Sequence, residues 1–325
     1  MPDSWPNKAL TPPSARNDEA FASRTMLAIL QAGLRQHGLD CETVDKPAAQ
    51  ERIPLASKQA FLATVRENHG LAALLRIGTG ITAFTGTPIG QALLAGCDAP
   101  GLLRRWQRLE RYLHSQHYLL CELAPCSARL SHVSRSGRPP SLDEDLAVLG
   151  VLGALLQRLT GSEVRLSSDA QGRKTVCRWP QLGIAADQLM QRADWHLHWQ
   201  SNAAAPGNPA CLACPASAST SGTVSQTRAA IAQLGLLDAT LARVASLLAV
   251  SPRTLQRQLQ DSASHFSAEL QACRISEAGR LLLGGRLGLA EIGFVCGFAD
   301  QAHFTRSFKN ATGMAPGQYR ALQSG

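Results

Sequence analysis

Apolar residues between Thr240 and Ala321 follow the same helical pattern twice. In each copy they recur at i, i+3, i+4 and i+7, which is the spacing of one buried helix face. The first copy consists of Leu241, Val244, Ala245 and Leu248, and the second, 48 residues later, of Leu289, Ile292, Gly293 and Cys296. The pattern predicts two short helices, each with a polar outer face.

A second helix is predicted to follow each copy. Ser251 and Asp300 are suited to cap these helices, because a short side-chain oxygen accepts from unpaired backbone N–H groups. Pro252 stands at the first helical position, where its missing N–H has no effect. The second helices match at an offset of 49: Leu255, Leu259 and Arg257 correspond to Phe304, Phe308 and Arg306. We attribute the extra residue in the second turn to Gly297.

Two helices joined by a short turn are typical of a helix-turn-helix, whose second helix enters the major groove of DNA. Arginine pairs bidentately with guanine and glutamine with adenine, so helices carrying both can read sequence, although solvated helices carry them too. The predicted outward residues are Arg253, Thr254, Gln256 and Arg257 in the first copy, and Gln301, Ala302, His303, Thr305 and Arg306 in the second.

The segment between the copies, from Phe266 to about Leu283, has apolar residues at helical spacing. It predicts a connecting helix that fixes the distance between the two readers. Readers on one face of a duplex enter successive major grooves about 34 Å apart, so we expect a bipartite half-site.

The last 90 or so residues contain a further set of characteristic positions: Arg274-Ile275, Ala278, Leu281-Leu282, Ala290-Glu291-Ile292, Gly297-Phe298, Asp300-Gln301, His303-Phe304, Arg306-Ser307-Phe308-Lys309, Gly313, Pro316 and Tyr319-Arg320. With these residues the segment closely resembles AraC/XylS-type transcriptional regulators. The resemblance implies an all-α domain with two helix-turn-helix motifs on a connecting helix, which binds promoter DNA as a homodimer and activates transcription with RNA polymerase as a partner. By position it places base contacts on Arg253, Gln256, Arg257, Gln301, Ala302, His303 and Arg306.

Three positions depart from the family pattern. Gly288 stands where a capping Ser or Thr is common, which weakens that helix start. Ser262-Ala263-Ser264 lacks the glycine often found after the first reading helix. Ala302 cannot hydrogen-bond a base, although its methyl group can meet a thymine methyl.

The N-terminal half has a mixed pattern of helices and strands. The predicted helices are Ser23–Gly38, Lys58–Asn68, Leu71–Ile77, Ile89–Leu94, Gly101–Tyr118, Leu142–Leu159 and Ala185–Ala193; the predicted strands are Leu119–Leu123, Ala128–Val133, Glu163–Leu166 and Thr175–Cys177. Ser141 and Glu144 form a capping box for the very apolar helix from Leu142. Gly150 and Gly153 on that helix allow another element to approach closely, either in the core, which we favour, or in a dimer contact.

From about Pro54 to Gln200 the order of elements resembles the arabinose-binding-like sensor domain of AraC-family regulators of ornithine utilisation and virulence. The resemblance rests also on Leu71–Ile77 with Gly78 and on Pro88-Ile89-Gly90 before a helix. It implies an α+β domain for effector sensing and dimerisation, without identifying the residues of the effector pocket.

Two segments offer weak candidates for effector contacts. Trp195, His196, His198 and Trp199 place aromatic rings beside two histidines, but the alternation is also typical of a strand with one buried face. Arg104, Arg105, Arg108 and Arg111 form a basic run, typical of a solvated helix face, that an anionic effector could use.

Composition sets the domain organisation. We predict disorder at 1–20, a sensor domain at 21–200, a flexible linker rich in Ala, Ser, Pro and Gly at 201–226, and the DNA-binding domain at 227–325. The flexible linker predicts that the two domains are not rigidly joined. The net charge of +8 suits a polyanionic partner, but residues 225–325 carry ten Lys and Arg against six Asp and Glu. Because basicity is spread along the chain, the DNA prediction rests on the motif.

Other functional classes find little support. The nine cysteines have no regular spacing; only Cys211 and Cys214 have the spacing of metal or redox ligands, with no second pair nearby. We predict no metal, no cofactor and no enzymatic activity, since hydrolase, metalloprotease and P-loop motifs are missing. Without a long apolar run or a signal peptide, we expect a cytoplasmic protein.

These predictions combine into a sequence-specific transcriptional regulator, an effector-responsive activator of a metabolic or neighbouring operon. The alternatives are a repressor of the same architecture and a nonspecific DNA-binding protein.

Overall fold

A computed structural model describes residues 21–40, 52–113, 116–134, 137, 139–185, 189, 194–200, 222–285 and 287–321. The predicted disordered N-terminus and residues 201–221 of the predicted linker lie outside these ranges, as do Cys211 and Cys214 and most of the predicted helix Ala185–Ala193.

The N-terminal half is an α+β unit, as predicted. Its helices are α1 (Arg24–Gln36), α2 (Leu55–His69), α3 (Leu71–Ile77), α4 (Pro88–Leu94), α5 (Ala99–Leu113) and α6 (Leu142–Thr160), with a 3₁₀ helix at Gly78–Phe84. Its strands are β1 (Phe21–Ser23), β2 (Arg52–Pro54), β3 (His117–Ala124), β4 (Ser127–Ser134), β5 (Val164–Ser167), β6 (Thr175–Trp179), β7 (Gly183–Ile184) and β8 (Trp195–Trp199).

The larger sheet has six strands in the order β3-β4-β8-β5-β6-β7, and every neighbouring pair is antiparallel. The last strand in sequence, β8, therefore lies inside the sheet between β4 and β5. Its residues alternate between a buried and a half-exposed face, with Trp195, Leu197 and Trp199 buried.

The apolar helix α6 is a core element. Ser141 and Glu144 form the predicted capping box, and residues from Asp143 to Leu156 are buried. A Cβ atom on Gly150 would lie 2.3 Å from the carbonyl oxygen of Leu75, so glycine is needed where α3 crosses α6. The prediction that this helix belongs to the core is confirmed.

One predicted helix ends earlier than its sequence pattern suggests. Helix α5 stops at Leu113, whereas the apolar spacing continues to Tyr118. From His117 onward the backbone pairs with β4, beginning with Ser134. The ladder of hydrogen bonds in β3 therefore replaces the last helical turn.

The C-terminal half consists of helices. They are α7 (Thr223–Leu234), α8 (Leu241–Leu247), α9 (Pro252–Asp261), α10 (Phe266–Leu283), α11 (Leu289–Val295), α12 (Gln301–Thr312) and α13 (Pro316–Ala321). Helix α7 begins at Thr223, so the last residues of the predicted linker are helical instead. Thr227 on this helix is fully buried, which ties its first turns to the helices that follow.

The two helix pairs belong to different hydrophobic cores. The pair α8–α9 packs with α7 and α10 around Ile231, Val244, Leu255 and Leu259. The pair α11–α12 contributes Ile292, Phe294, Phe304 and Phe308 to a core that continues into the N-terminal unit. The second pair is thus joined to the N-terminal half by direct packing, whereas the flexible linker led us to expect two domains that are not rigidly joined.

Candidate nucleic-acid interface

The turns of the two helix pairs have the same hydrogen-bond pattern. In the first, the N–H groups of Ala249 and Val250 donate to the carbonyls of Ser246 and Ala245. In the second, Gly297 and Phe298 donate to Phe294 and Gly293, each 48 residues later. Gly297 is therefore the counterpart of Ala249, and the extra residue of the second turn is Ala299. The assignment of the insertion to Gly297 was wrong.

Both predicted caps are present. The Ser251 side chain accepts from the Thr254 N–H at 3.0 Å, and the Asp300 carboxylate accepts from the His303 N–H at 2.7 Å. Each cap satisfies a backbone donor at the start of α9 or α12. The first turn of each helix is thereby fixed.

Each second helix buries two residues and exposes its polar side. Leu255 and Leu259 on α9, like Phe304 and Phe308 on α12, are completely buried. Five predicted contact residues are exposed: Arg253, Gln256, Arg257, Ala302 and Arg306. Three of them are arginines, so the outer sides of α9 and α12 carry cationic groups suited to phosphates and guanine edges.

The other predicted contact residues are half-buried, and three of them are engaged within the protein. The Thr254 hydroxyl lies 2.7 Å from that of Ser251, and Thr305 Oγ1 donates to the carbonyl of Gln301 at 2.9 Å. His303 Nδ1 accepts from the Ala299 N–H at 3.2 Å, and its ring packs edge-on against Phe298. Their polar atoms are less available to a base than those of the exposed arginines.

The departures from the family pattern have local structural consequences. Gly288 has no side chain to cap α11, but its N–H donates to the Glu291 carboxylate at 2.8 Å, so one end of the cap is satisfied. Ala263, where a glycine is common, adopts a φ of 53°. An alanine in this left-handed conformation is strained relative to glycine.

The weak effector candidates do not form a pocket. Trp195 and Trp199 point into the core, whereas His196 and His198 lie on the other face of β8 with their rings stacked at 6.3 Å. His198 Nε2 lies 2.9 Å from Ser167 Oγ. Because strand alternation separates the tryptophans from the histidines, these four residues do not surround a common ligand.

Two of the arginines of α5, Arg105 and Arg108, do not belong to a solvated face. Arg105 is 6% exposed and donates to the carbonyls of Ala92, Leu93 and Ala95. Arg108 donates to the carbonyls of Gly297 and Phe298. The interpretation of this run as a hydrated surface was wrong for these two residues, since they bind backbone oxygens in both halves of the chain.

Sequence reasoning also missed Tyr112, which packs edge-on against Phe294 with ring centroids 6.3 Å apart. A Cβ atom on Gly293 would lie 3.0 Å from its ring, so a glycine in α11 allows the approach. Burial raises the pKa of the Tyr112 hydroxyl far above its usual range. No local pattern predicts this contact, since its partners are more than 180 residues apart.

Metal and membrane sites are not found in the described ranges. Their His, Cys, Asp and Glu side chains form no cluster that could hold a metal ion. Of the helices within these ranges, none is long and apolar enough to cross a bilayer. Cys296 is fully buried and Cys273 half-buried, as expected for small apolar residues of a core.

Comparisons with known proteins find relatives of the C-terminal region, which contains the two helix pairs. Residues 244–322 match a family described as a helix-turn-helix domain. The HTH-type transcriptional regulator GadX of Escherichia coli K12 is 32% identical over 81 residues, which is 25% of this chain and 30% of that protein. The transcriptional activator NphR of a Rhodococcus species is 34% identical over 83 residues, 26% of this chain and 25% of that protein.

Among solved structures, the C-terminal domain of AraT, a response regulator from Geobacillus stearothermophilus, is similar at 34% identity. The similarity covers 32% of this chain and 88% of that one, with a TM-score of 0.29. The matched region spans about a third or less of the curated relatives' length. The C-terminal region is thus a helix-turn-helix domain whose relatives regulate transcription.

Proposed function

We propose that this protein is a sequence-specific, DNA-binding transcriptional regulator of the AraC type. The observation that carries the proposal is the repetition of one helix-turn-helix geometry: α8–α9 and α11–α12 share their turn hydrogen bonds, their caps and their buried positions. Two matched readers on the connecting helix α10 suit two successive major grooves of one half-site.

The proposed base contacts are divided by availability. Arg253, Gln256, Arg257 and Arg306 are exposed and have the chemistry to bond base edges, with Ala302 placed for a thymine methyl. The half-buried Gln301 and His303 are weaker members of the set. The Thr254 hydroxyl is hydrogen-bonded to the capping Ser251, and the Thr305 hydroxyl donates to the Gln301 carbonyl. We therefore assign these two threonines to positioning their helices or to contacts with the DNA backbone.

The N-terminal half is proposed as the effector-sensing and dimerisation domain of an activator. In this proposal residues 21–200 form the sensor and the DNA-binding domain extends from α7 to the end of the chain. The direct packing of α5 on α11 supports communication between them, because a change in α5 reaches the second reader through contacts of Arg108 and Tyr112. RNA polymerase and promoter DNA are the partners this function requires.

A footprint of the full-length protein on the DNA flanking its own gene tests the proposal, with competitor DNA titrated at stated salt. We expect protection of two half-sites, each spanning two successive major grooves and resistant to random competitor. Diffuse protection that competitor removes would support a nonspecific DNA-binding protein instead. Reporter transcription from the protected promoter distinguishes an activator from a repressor.

A further inference from the structure

A cleft of about 560 Å³ lies between α5 and the loop that leads into α8. One side belongs to the N-terminal half and the other to the helix-turn-helix region. Its volume is typical of small-molecule sites, which run from about 300 to about 1,000 Å³. The charged residues that line it are Asp98, Arg104, Arg105, Arg108, Asp238 and Arg243.

This lining has more positive than negative charge. The carboxylate of Asp238 pairs with Arg105 and lies 3.2 Å from Arg243. The carboxylate of Asp98 accepts from the Gly101 N–H at 2.8 Å. Two carboxylates face four guanidinium groups, and guanidinium stays protonated under all ordinary conditions. The cleft therefore holds a surplus of two positive charges.

The arginines differ in what already binds them. Arg105 and Arg108 are held by backbone carbonyls on both sides of the cleft. Arg104 is exposed, and no hydrogen bond or ion pair joins it to the residues within the described ranges. Arg243 is about half-exposed, and it shares the carboxylate of Asp238 with Arg105. Arg104 and Arg243 thus stand on opposite walls with donors available for a ligand.

From this geometry we infer that the cleft binds a small anion bearing phosphate or carboxylate groups, with Arg104 and Arg243 as its principal ligands. The planar fork of a guanidinium donates two parallel N–H groups to such oxygens. A ligand with two negative charges balances the surplus. The inference rests on the proposed function, because it gives the effector of that regulator a chemical class and a site.

The same residues connect the cleft to both readers. Asp238 lies just before α8, the first helix of the first reader. Arg108 Nε and Nη2 lie 3.2 Å and 2.6 Å from the Phe298 carbonyl oxygen, in the turn before α12. An anion that attracts Arg243 away from Asp238, or Arg108 away from Phe298, changes contacts at the start of both readers. Binding of the anion then shifts the population of domain arrangements.

The test uses full-length protein without DNA and inorganic phosphate as the probe, with citrate as the carboxylate arm. Calorimetry and thermal melting are compared with sodium chloride at matched ionic strength. We expect saturable binding and a higher melting temperature with at least one probe. The probe that binds with the lower Kd shows whether the natural ligand is a phosphate or a carboxylate compound.

Arg104→Gln is the main variant, since an exposed side chain can be changed without loss of folding. It should weaken the Kd of the binding probe on the order of tenfold, because one charge-assisted contact is lost. Arg243→Gln should do the same, whereas Arg158→Gln, an exposed arginine of α6 outside the cleft, should leave the Kd unchanged. Absence of saturable binding, or equal Kd values for Arg104→Gln and Arg158→Gln, would overturn the inference.

DNA binding, measured on the same proteins without the probe, separates this inference from the proposed function. Specific DNA binding without any anion binding would overturn the inference of an anion site in the cleft, while the proposed function as a transcriptional regulator would stand. Saturable anion binding that needs Arg104, in a protein that shows no preference among DNA sequences with or without the probe, would support the cleft and overturn the regulator.

Discussion

The phenolic hydroxyl of Tyr112 donates a hydrogen bond to the backbone carbonyl of Phe298 across 2.7 Å. Tyr112 lies near the end of α5, and Phe298 lies in the turn between α11 and α12. The same carbonyl accepts from Arg108. A single backbone oxygen therefore joins the N-terminal half to the turn that leads into α12.

Tyr112→Phe should lower the free energy of unfolding by about 1 kcal/mol, the usual contribution of one buried hydrogen bond. The loss stays moderate because Arg108 continues to satisfy the Phe298 carbonyl. Urea denaturation measures the change, and hydrogen exchange of residues 296–300 should become faster. Tyr319→Phe is the matched control, since the Tyr319 ring packs on Phe308 and its hydroxyl makes no hydrogen bond to the described residues. Equal effects of the two variants would contradict the role of the hydroxyl.

Exchanging alanine and glycine at the equivalent turn residues Ala249 and Gly297 should change the free energy of unfolding in opposite directions. Gly297 has a φ of 78°, and a Cβ atom there would lie 2.5 Å from the carbonyl oxygen of Leu236. Gly297→Ala should therefore cost about 2 kcal/mol or more of unfolding free energy, through left-handed strain and a backbone clash.

Ala249 has a φ of 55°. Ala249→Gly should stabilise by about 0.5 kcal/mol, because relief of left-handed strain exceeds the greater entropy of the unfolded chain. Thermal melting of both variants tests the pair. Destabilisation of similar size in both would show that the two turns are not equivalent in conformation.

Base recognition by the exposed arginines is tested on DNA. Arg257→Ala or Arg306→Ala should cost about 1–3 kcal/mol of binding free energy on the specific site and relax the preference at one base pair. The measurement is a binding titration on the specific site, its single-base variants and random DNA. Lys309→Ala, in the last turn of α12, serves as a comparison: a lost phosphate contact weakens all sequences alike. If the arginine variants weakened all sequences equally, the base-contact assignment would be wrong.

The local features of both helix pairs, α8–α9 and α11–α12, could be predicted from sequence because their causes are local. Ser251 and Asp300 each cap a helix by accepting a hydrogen bond from the N–H group three residues later in the sequence. The burial of Leu255 and Phe304 follows from helical spacing. The helices α1 to α6, the strands β3 to β6 and the capping box at Ser141 were predictable for the same reason, whereas the short strands β1, β2 and β7 and the 3₁₀ helix at Gly78–Phe84 were not predicted.

The contacts between the halves could not be predicted in this way. Arg105 and Arg108 have the spacing of a solvated helix face, and their carbonyl partners are supplied by α4 and by a turn near residue 298. Likewise, Trp195 and Trp199 alternate as any half-buried strand does, so the sequence could not distinguish a core face from a ligand site. Long-range partners decide the meaning of both patterns.

A buried group of charged side chains lies in the N-terminal half where α2, α6 and β3 meet. The Glu144 carboxylate is fully buried, with Lys58 Nζ at 3.7 Å and His117 Nδ1 at 3.4 Å from its Oε1 atom. Burial alone would raise the pKa of Glu144, but the neighbouring His117 imidazole, the charge of Lys58 and the Ser141 N–H, which donates to the carboxylate, outweigh burial and hold that pKa well below its usual range. Glu110 is also buried nearby, and its pKa is raised by burial.

The depressed pKa of Glu144 makes the N-terminal half sensitive to acid. A carboxylate whose pKa is lower in the folded state stabilises fully above its unfolded pKa of about 4.3, and this stabilisation is lost as the pH falls toward the folded value. Glu144→Gln should cost about 3 kcal/mol near neutral pH, because the buried ammonium group of Lys58 loses the negative charge that lies 3.7 Å away. The difference between wild type and Glu144→Gln, measured by urea denaturation from pH 7 to pH 3, should therefore narrow below about pH 4.3. Glu67→Gln, at an exposed position of α2, should follow the wild-type curve throughout. A constant difference between wild type and Glu144→Gln over this range would show that the ionised form of Glu144 is not what stabilises the fold.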